Sequence, residues 1–345
     1  MDMKGDNPMN REERLQQVIA GKSADRVPVS VWFHFSQYDQ DPVSLAEAEA
    51  AFVEHYDYDF IKMMPFGNYG IQDFGAKLNI YCQQGRPVTL ARPGIENIEG
   101  YKNLKAISGL QGTYGKQVEF ARILAKKVKP HTPIIQTIFS PLTTLHKLTG
   151  GKVLEDLKNY PDEIHHALEV ITAVTNDFIQ YNIDAGVDGF FFATQDARRE
   201  LLDFETFKEF GEFYDLLVMD SYVKQTWFNV VHIHGLDVYY EEIFKNYPAA
   251  VLNWHDRNTA PSLRDARKIS DKPFLAGIRA ATKLVDGKEV RDDIVKDGTP
   301  DEIIAHIHEA IDEVDGKGLI IGPGCCVAQD CSEENLKAVR KAVEI

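Results

Sequence analysis

A chain of 345 residues, 44% hydrophobic and 26% charged, has ordinary globular composition and enough length for a large core. Its net charge of −15 argues against a nucleic-acid partner, which needs a basic face. No apolar run approaches the roughly 20 residues needed to cross a bilayer, so a membrane role is not expected.

The opening segment MDMKGDNPMN has no apolar stretch of the secretory type and reads as a polar lead-in over 1–20, with the cytoplasm as the expected compartment. From there a short apolar run recurs, each followed by a helical stretch. The runs are Val27 to Phe35, Asp59 to Pro65, Pro133 to Ser140, Gly186 to Thr194, Trp227 to Gly235, Ala249 to His255, Lys272 to Ala280 and Gly318 to Gly324. Each is apolar on nearly both faces and bounded by Gly, Pro, Asp or Asn, the pattern of buried parallel strands. Between them, Pro161 to Ala185 has apolar residues at spacings of three and four and an acidic first turn. Phe204 to Gln225, Leu263 to Ile269, Pro300 to Glu313 and Glu333 to Val343 are further helices. Thr299 before Pro300, and Ser332 before Glu333, are N-cap patterns.

Eight strand runs alternating with helices predict one domain, 1–345, folded as a single α/β (β/α)8 TIM barrel. The segment 66–132 is too long for a plain connection and reads as an excursion over the barrel mouth, with a helix near Tyr114 to Lys127. No Gly-x-Gly-x-x-Gly follows an early strand, and no phosphate-binding loop appears, which argues against a nucleotide-binding open sheet.

In such a barrel, chemistry sits where the strands end. The candidates there are His34 and Tyr38 after the first run, Asn68 after the second, Gln136 and Ser140 on the third, and Gln195 after the fourth. His232 and His234 follow on the fifth, Trp254 and His255 on the sixth, Arg279 on the seventh, and Cys325 and Cys326 after the eighth. His232 and His234, two apart on a strand, point to one face, and a cysteine from the last strand can reach a metal held between them. Two nitrogens, one sulfur and an open position form a catalytic zinc pattern. The competing reading is two satisfied core histidines and a space-filling cysteine. Four cysteines in a chain of this length do not make a disulfide scaffold, but three of them, Cys325, Cys326 and Cys331, crowd into one segment. Arg279 could hold a carboxylate or phosphate, or form an ion pair with Asp256 or Asp196. His255, with Asp256 and Arg257, could supply an acid or base, or cap the next helix. Trp32, Phe33, Phe35, Phe66, Phe191, Phe192 and Trp254 are candidates for aromatic walls or plain core.

Asn10-Arg11-Glu12-Glu13-Arg14 with Ala24 to Val29, Pro161-Asp162-Glu163 through Gly189, and Gly322-Pro323-Gly324-Cys325 with Glu333 to Leu336 resemble the uroporphyrinogen decarboxylase superfamily along the whole chain. True decarboxylases of that family carry an arginine-rich segment after the first strand. Here the stretch Val31 to Tyr38 holds none, which argues against a tetrapyrrole polycarboxylate. The resemblance to the zinc methyltransferase branch implies zinc on His232, His234 and Cys325, with Cys326 replacing Cys325 if the register differs. It also implies methyl transfer between a small methylated donor or thiol and a corrinoid protein, and a homodimer is the candidate assembly. His34, Tyr38 and His255 are then the expected catalytic groups. Asn68, Gln136, Ser140, Gln195, Trp254 and Arg279 are expected to line the substrate. The first alternative is cofactor-free decarboxylation of a polycarboxylate, with Arg279 as clamp and Tyr38 or His34 delivering a proton. The second is a non-enzymatic barrel that binds a corrinoid or tetrapyrrole.

Overall fold

The computed structural model describes residues 8–286 and 288–344; the first seven residues of the predicted lead-in lie outside that range. Seven of the eight predicted runs form one curled parallel sheet. We label its strands β1 (Ile61–Lys62), β2 (Ile134–Phe139), β3 (Gly189–Thr194), β4 (Val230–Ile233), β5 (Val251–Trp254), β6 (Phe274–Ile278) and β7 (Leu319–Pro323). They pair in that order.

The first predicted run, 27–35, makes only a parallel bridge from Val29 to Ile321. Its ladder donors are spent elsewhere. Pro28 has no N–H, and the Val29 N–H is taken by the Asp59 carboxylate at 2.7 Å. The segment still touches both edges of the sheet: Ser30 N–H donates to the Ile321 carbonyl, and Asp59 N–H to the Val29 carbonyl. Asp59 is fully buried and also accepts from Arg14 and Arg26, each at 2.7 Å. These arginines belong to the opening motifs of the family resemblance.

The helices cover the outer face. Pro161–Ala185 and Pro300–Glu313 match the predicted spans, and Thr299 with Glu302 closes a capping box on the second. The predicted helix Phe204 to Gln225 is shorter and is broken by a π-helical turn at Lys208–Glu212. Within 66–132, the helix Gly112–Val128 packs in this outer layer, against Pro42–His55 and Pro161–Ala185. The preceding part holds a small hairpin, Lys77–Asn79 with Thr89–Arg92. A second hairpin, Ala280–Val285 with Lys288–Asp293, follows β6 and was not anticipated. Among the described residues no helix is long and apolar enough to cross a membrane.

The core has two compartments. The large one lies between sheet and helices. The small one fills the inside of the curl with Trp32, Phe60, Met64, Ile135, Phe191, Val230, Val251, Leu275 and Ile320.

Candidate metal centre

Strand parity decides which side chains face the inside of the curl, because successive residues alternate. Val230 and Val251 are inside, so His232 and His234, and Asn253 and His255, follow them on the same face. β4 and β5 are in register, with His232 opposite Asn253. Cys325 follows β7, and its N–H donates to the Ala280 carbonyl at 2.9 Å. Gly324 permits the approach: a Cβ there would sit 2.9 Å from the His255 Cα and 3.0 Å from the Trp254 carbonyl oxygen.

His232, His234, His255 and Cys325 each present one ligand atom, all within 4.8 Å of one another. The Cys325 Sγ lies 3.9 Å from the His234 Nδ1. A tetrahedral ion with bonds of about 2.0–2.3 Å needs donors roughly 3.3–3.8 Å apart, so the set contracts only modestly on binding. His255 is 1% exposed, yet neither of its ring nitrogens has a hydrogen-bond partner. An unpartnered buried imidazole is costly, and a metal would satisfy one of its two nitrogens. The donor set of imidazoles and a thiol suits zinc.

The protonation states agree with that fit. Burial, with the neighbouring His234 and His255, holds His232 well below the usual histidine range. Burial also lowers His255. A hydrogen bond from the Cys326 thiol, with the His234 and His255 imidazoles close by, holds Cys325 well below the usual thiol range. Neutral imidazole and thiolate are the ligand forms. Cys326 itself is pushed up by the same hydrogen bond and by burial, and it is not a member of the converging set.

Around this centre lies an inner chamber of about 200 Å³, whose walls include Trp32, His34, Phe191, Gln195 and Cys326. A second chamber of about 330 Å³ opens beside it and shares Lys147, Gln195 and His234 with the first. Of the residues predicted from sequence, His34 and Gln195 are therefore at the mouth. Burial and the Lys62 ammonium lower His34 to about 4.

Other predicted residues lie elsewhere. Gln136, Ser140 and Trp254 have the outward parity of their strands. Gln136 donates to Asn182 on the helix Pro161–Ala185. Ser140 faces the buried Asp215. Trp254 packs on Phe244 and Phe274, and its indole N–H donates to the Pro261 carbonyl at 2.9 Å. Tyr38 is 43% exposed on a turn and lines neither chamber. Asn68 points its amide at the Val88 carbonyl. Arg279 pairs with Asp292 at 3.0 Å instead of facing the chambers; its partner is neither Asp256 nor Asp196. Of the candidate aromatic walls, Trp32 and Phe191 line the chamber, whereas Phe33 and Phe35 pack on Phe52.

Three features lie outside the residues predicted for the site. Asn253 bonds to the His232 Nδ1. The His146 imidazole is paired with the buried Asp196 carboxylate. Lys62 and Lys147 both face the inner chamber. A lone lysine within the apolar run Asp59 to Pro65 was the available signal for Lys62.

A family model for uroporphyrinogen decarboxylase (URO-D) matches residues 10–345. The chain belongs to the URO-D family. No curated relative matches it. Among solved structures, this URO-D family member is similar to a methyltransferase from Methanosarcina mazei, with a TM-score of 0.80 and 18% identity over 97% of this chain and 98% of that one. It is also similar to a B12-independent methionine synthase from Shewanella sp. W3-18-1, solved in complex with selenomethionine (TM-score 0.53, 12% identity, 91% and 90% covered). A third likeness is to a putative vitamin-B12 independent methionine synthase from Listeria monocytogenes (TM-score 0.52, 14% identity, 92% and 94% covered). At these identities the likeness speaks for the fold.

Proposed function

We propose that this URO-D family member is a cytoplasmic metal-assisted methyltransferase, acting between a small methylated donor or thiol and a corrinoid carried by a partner protein. The observation that carries the reading is the convergence of His232, His234, His255 and Cys325, with both nitrogens of the buried His255 unpartnered. Three or all four of these side chains would hold zinc; with a position left for a thiol, the ion would supply a Lewis acid that lowers the thiol's pKa and presents it as thiolate. The chain's own residues do the rest. Asn253 orients His232, Trp32 and Phe191 exclude water from the inner chamber, and Gln195 offers a hydrogen bond at the junction of the two chambers. We also read the Val29 segment as the stave that closes the curled sheet into a barrel, since it bonds to both edges.

Cofactor-free decarboxylation fits less well. Its clamp Arg279 is paired with Asp292, and Tyr38 stands outside both chambers. The deciding experiment is metal analysis of protein purified without a metal-affinity tag, followed by transfer from methylcobalamin to a thiol. About one zinc per chain is expected, with loss of metal and transfer in His234→Ala, His255→Ala and Cys325→Ser. Metal-free wild-type protein with transfer unaffected by His234→Ala would overturn the reading. Conversion of uroporphyrinogen to coproporphyrinogen would restore the decarboxylase alternative.

A further inference from the structure

The second chamber holds a pair of groups that the methyl-transfer reading leaves unused. His146, on the helix Pro141–Thr149, and Asp196, two residues beyond β3, both line it, together with His234 of the metal centre. The Asp196 carboxylate is 1% exposed, and both of its oxygens are engaged. One is paired with the His146 Nδ1, and the other accepts from the Thr143 hydroxyl at 2.7 Å. Thr143 is fixed in turn, because its hydroxyl oxygen accepts the Gln195 N–H at 2.9 Å. The carboxylate is thereby locked against the imidazole.

A carboxylate only accepts, so the hydrogen of a neutral His146 sits on Nδ1 and the Nε2 lone pair stays open. Among the described residues Nε2 has no hydrogen-bond partner. The side chain is 28% exposed, so a proton taken there can pass to solvent. A buried carboxylate, an oriented imidazole and an open second nitrogen are the parts of a general base. The other cationic side chains of this chamber are held elsewhere: Lys147 donates to the Gly67 carbonyl at 2.9 Å, and Arg198 to Glu200 at 2.8 Å. His234 is committed to the converging set of ligand atoms, to which His146 does not belong. His146 is thus the imidazole of this chamber left for proton transfer.

We propose that His146 is the general base for a thiol substrate bound in the second chamber, with Asp196 and Thr143 as its positioning residues. The thiol's S–H bond breaks with the electron pair left on sulfur, and an Nε2–H bond forms on His146. The sulfur then attacks the methyl carbon of the donor. The S–C bond forms, and the bond from methyl to donor breaks with its pair left on the donor. The imidazolium, stabilised by the Asp196 carboxylate, returns its proton to solvent. This rests on the methyl-transfer reading and deepens it: it supplies a proton acceptor for the thiol from outside the metal centre. It also gives the chamber of about 330 Å³ a role, as the place where the thiol waits beside His234.

The decisive readout is the proton on His146. The full chain as purified is labelled with nitrogen-15 in its histidines, and the His146 signals are identified by their absence in His146→Gln. At a pH where His146 of the free protein reads neutral, 2-mercaptoethanol is added, and in parallel its S-methyl derivative, which has no S–H to give. The thiol is expected to bring His146 to the doubly protonated form, and the thioether to leave it neutral. Asp196→Asn should move the hydrogen of free His146 toward Nε2 and weaken the response to thiol. His146→Gln should lower methyl transfer to thiol about 100-fold, and added imidazole should restore part of the rate in His146→Ala. A His146 that stays neutral with thiol, or that responds equally to thiol and thioether, would overturn the base. So would transfer by His146→Gln at the wild-type rate, which leaves the methyltransferase reading standing. Protonation of His146 by thiol in a protein that transfers no methyl group would keep His146 as the thiol's base and remove the methyltransferase reading.

Discussion

The Nδ1 of His232 lies 2.5 Å from the amide oxygen of Asn253, directly across the β4–β5 pair. An amide oxygen only accepts, so the hydrogen sits on Nδ1 and the Nε2 lone pair is left for a ligand. Asn253 is itself fixed by donating to the Leu275 and Pro323 carbonyls, at 2.6 and 3.2 Å. It thereby ties together four strands around the centre. Partners of metal-bound histidines are commonly worth 10- to 100-fold in affinity. Asn253→Ala is expected to weaken zinc binding by about that factor while the chain stays folded, as read by chelator competition.

The two adjacent cysteines are expected to behave differently. The Cys326 thiol is the largest influence holding Cys325 low. In metal-free Cys326→Ala the Cys325 thiolate loses that donor, so its alkylation by iodoacetamide should require higher pH than in the wild type. Zinc stoichiometry should survive in Cys326→Ser and fall in Cys325→Ser. An unmoved alkylation profile in Cys326→Ala would count against the hydrogen bond.

Gly324 tests the closeness of the last strand to His255. A Cβ at this position meets backbone at 2.9 and 3.0 Å, which cannot swing aside as a flexible side chain would. Gly324→Ala should cost about 1–3 kcal/mol of stability through overpacking. Zinc affinity should drop as well, because Cys325 is displaced from the imidazoles. Calorimetric melting with and without zinc measures both effects.

Asp215 predicts a pH dependence of stability. Burial pushes its carboxyl up to about 7, while the Tyr247 hydroxyl donates to it at 2.7 Å. Between about pH 4 and pH 7 the unfolded chain ionises at this residue and the folded chain does not. Stability should therefore fall through that window by up to about 1.4 kcal/mol per pH unit and level off above it. Asp256, raised to about 7, and Glu49, raised to about 8, act in the same direction. Asp215→Asn should make the decline shallower and gain on the wild type as pH rises, in urea midpoints taken at about pH 5 and about pH 7.5.

Much of the architecture was legible because buried parallel strands are continuous apolar runs, and seven of them stand where the sequence placed them. The run at 27–35 fails as a strand for a reason outside itself, since Asp59 takes the Val29 donor. The hairpin after β6 carried a readable sign, the Asp-Gly pair at 286–287 between alternating segments. In the site, parity separates what was read correctly from what was not. His232 and His234 were placed on one face because they are two apart. The same count on neighbouring strands would have favoured Asn253 and His255 over Trp254, and Thr137 and Phe139 over Gln136 and Ser140. What no local pattern contains is the meeting of Lys147, from the last turn of the helix Pro141–Thr149, with Lys62, from a strand 85 positions earlier. That depends on how the curl brings the ends of different elements together.

The imidazoles come from β4, β5 and the residues just after them, but the thiol is delivered only beyond β7, 70 residues past His255. During synthesis the nitrogen donors therefore emerge well before the sulfur. A ribosome-bound chain ending before Gly324 would present three histidines and no thiolate. On the metal-binding reading, full-strength capture would signal that the segment from Gly324 onward has docked, and truncation before Gly324 would remove the thiol donor while sparing the three imidazoles.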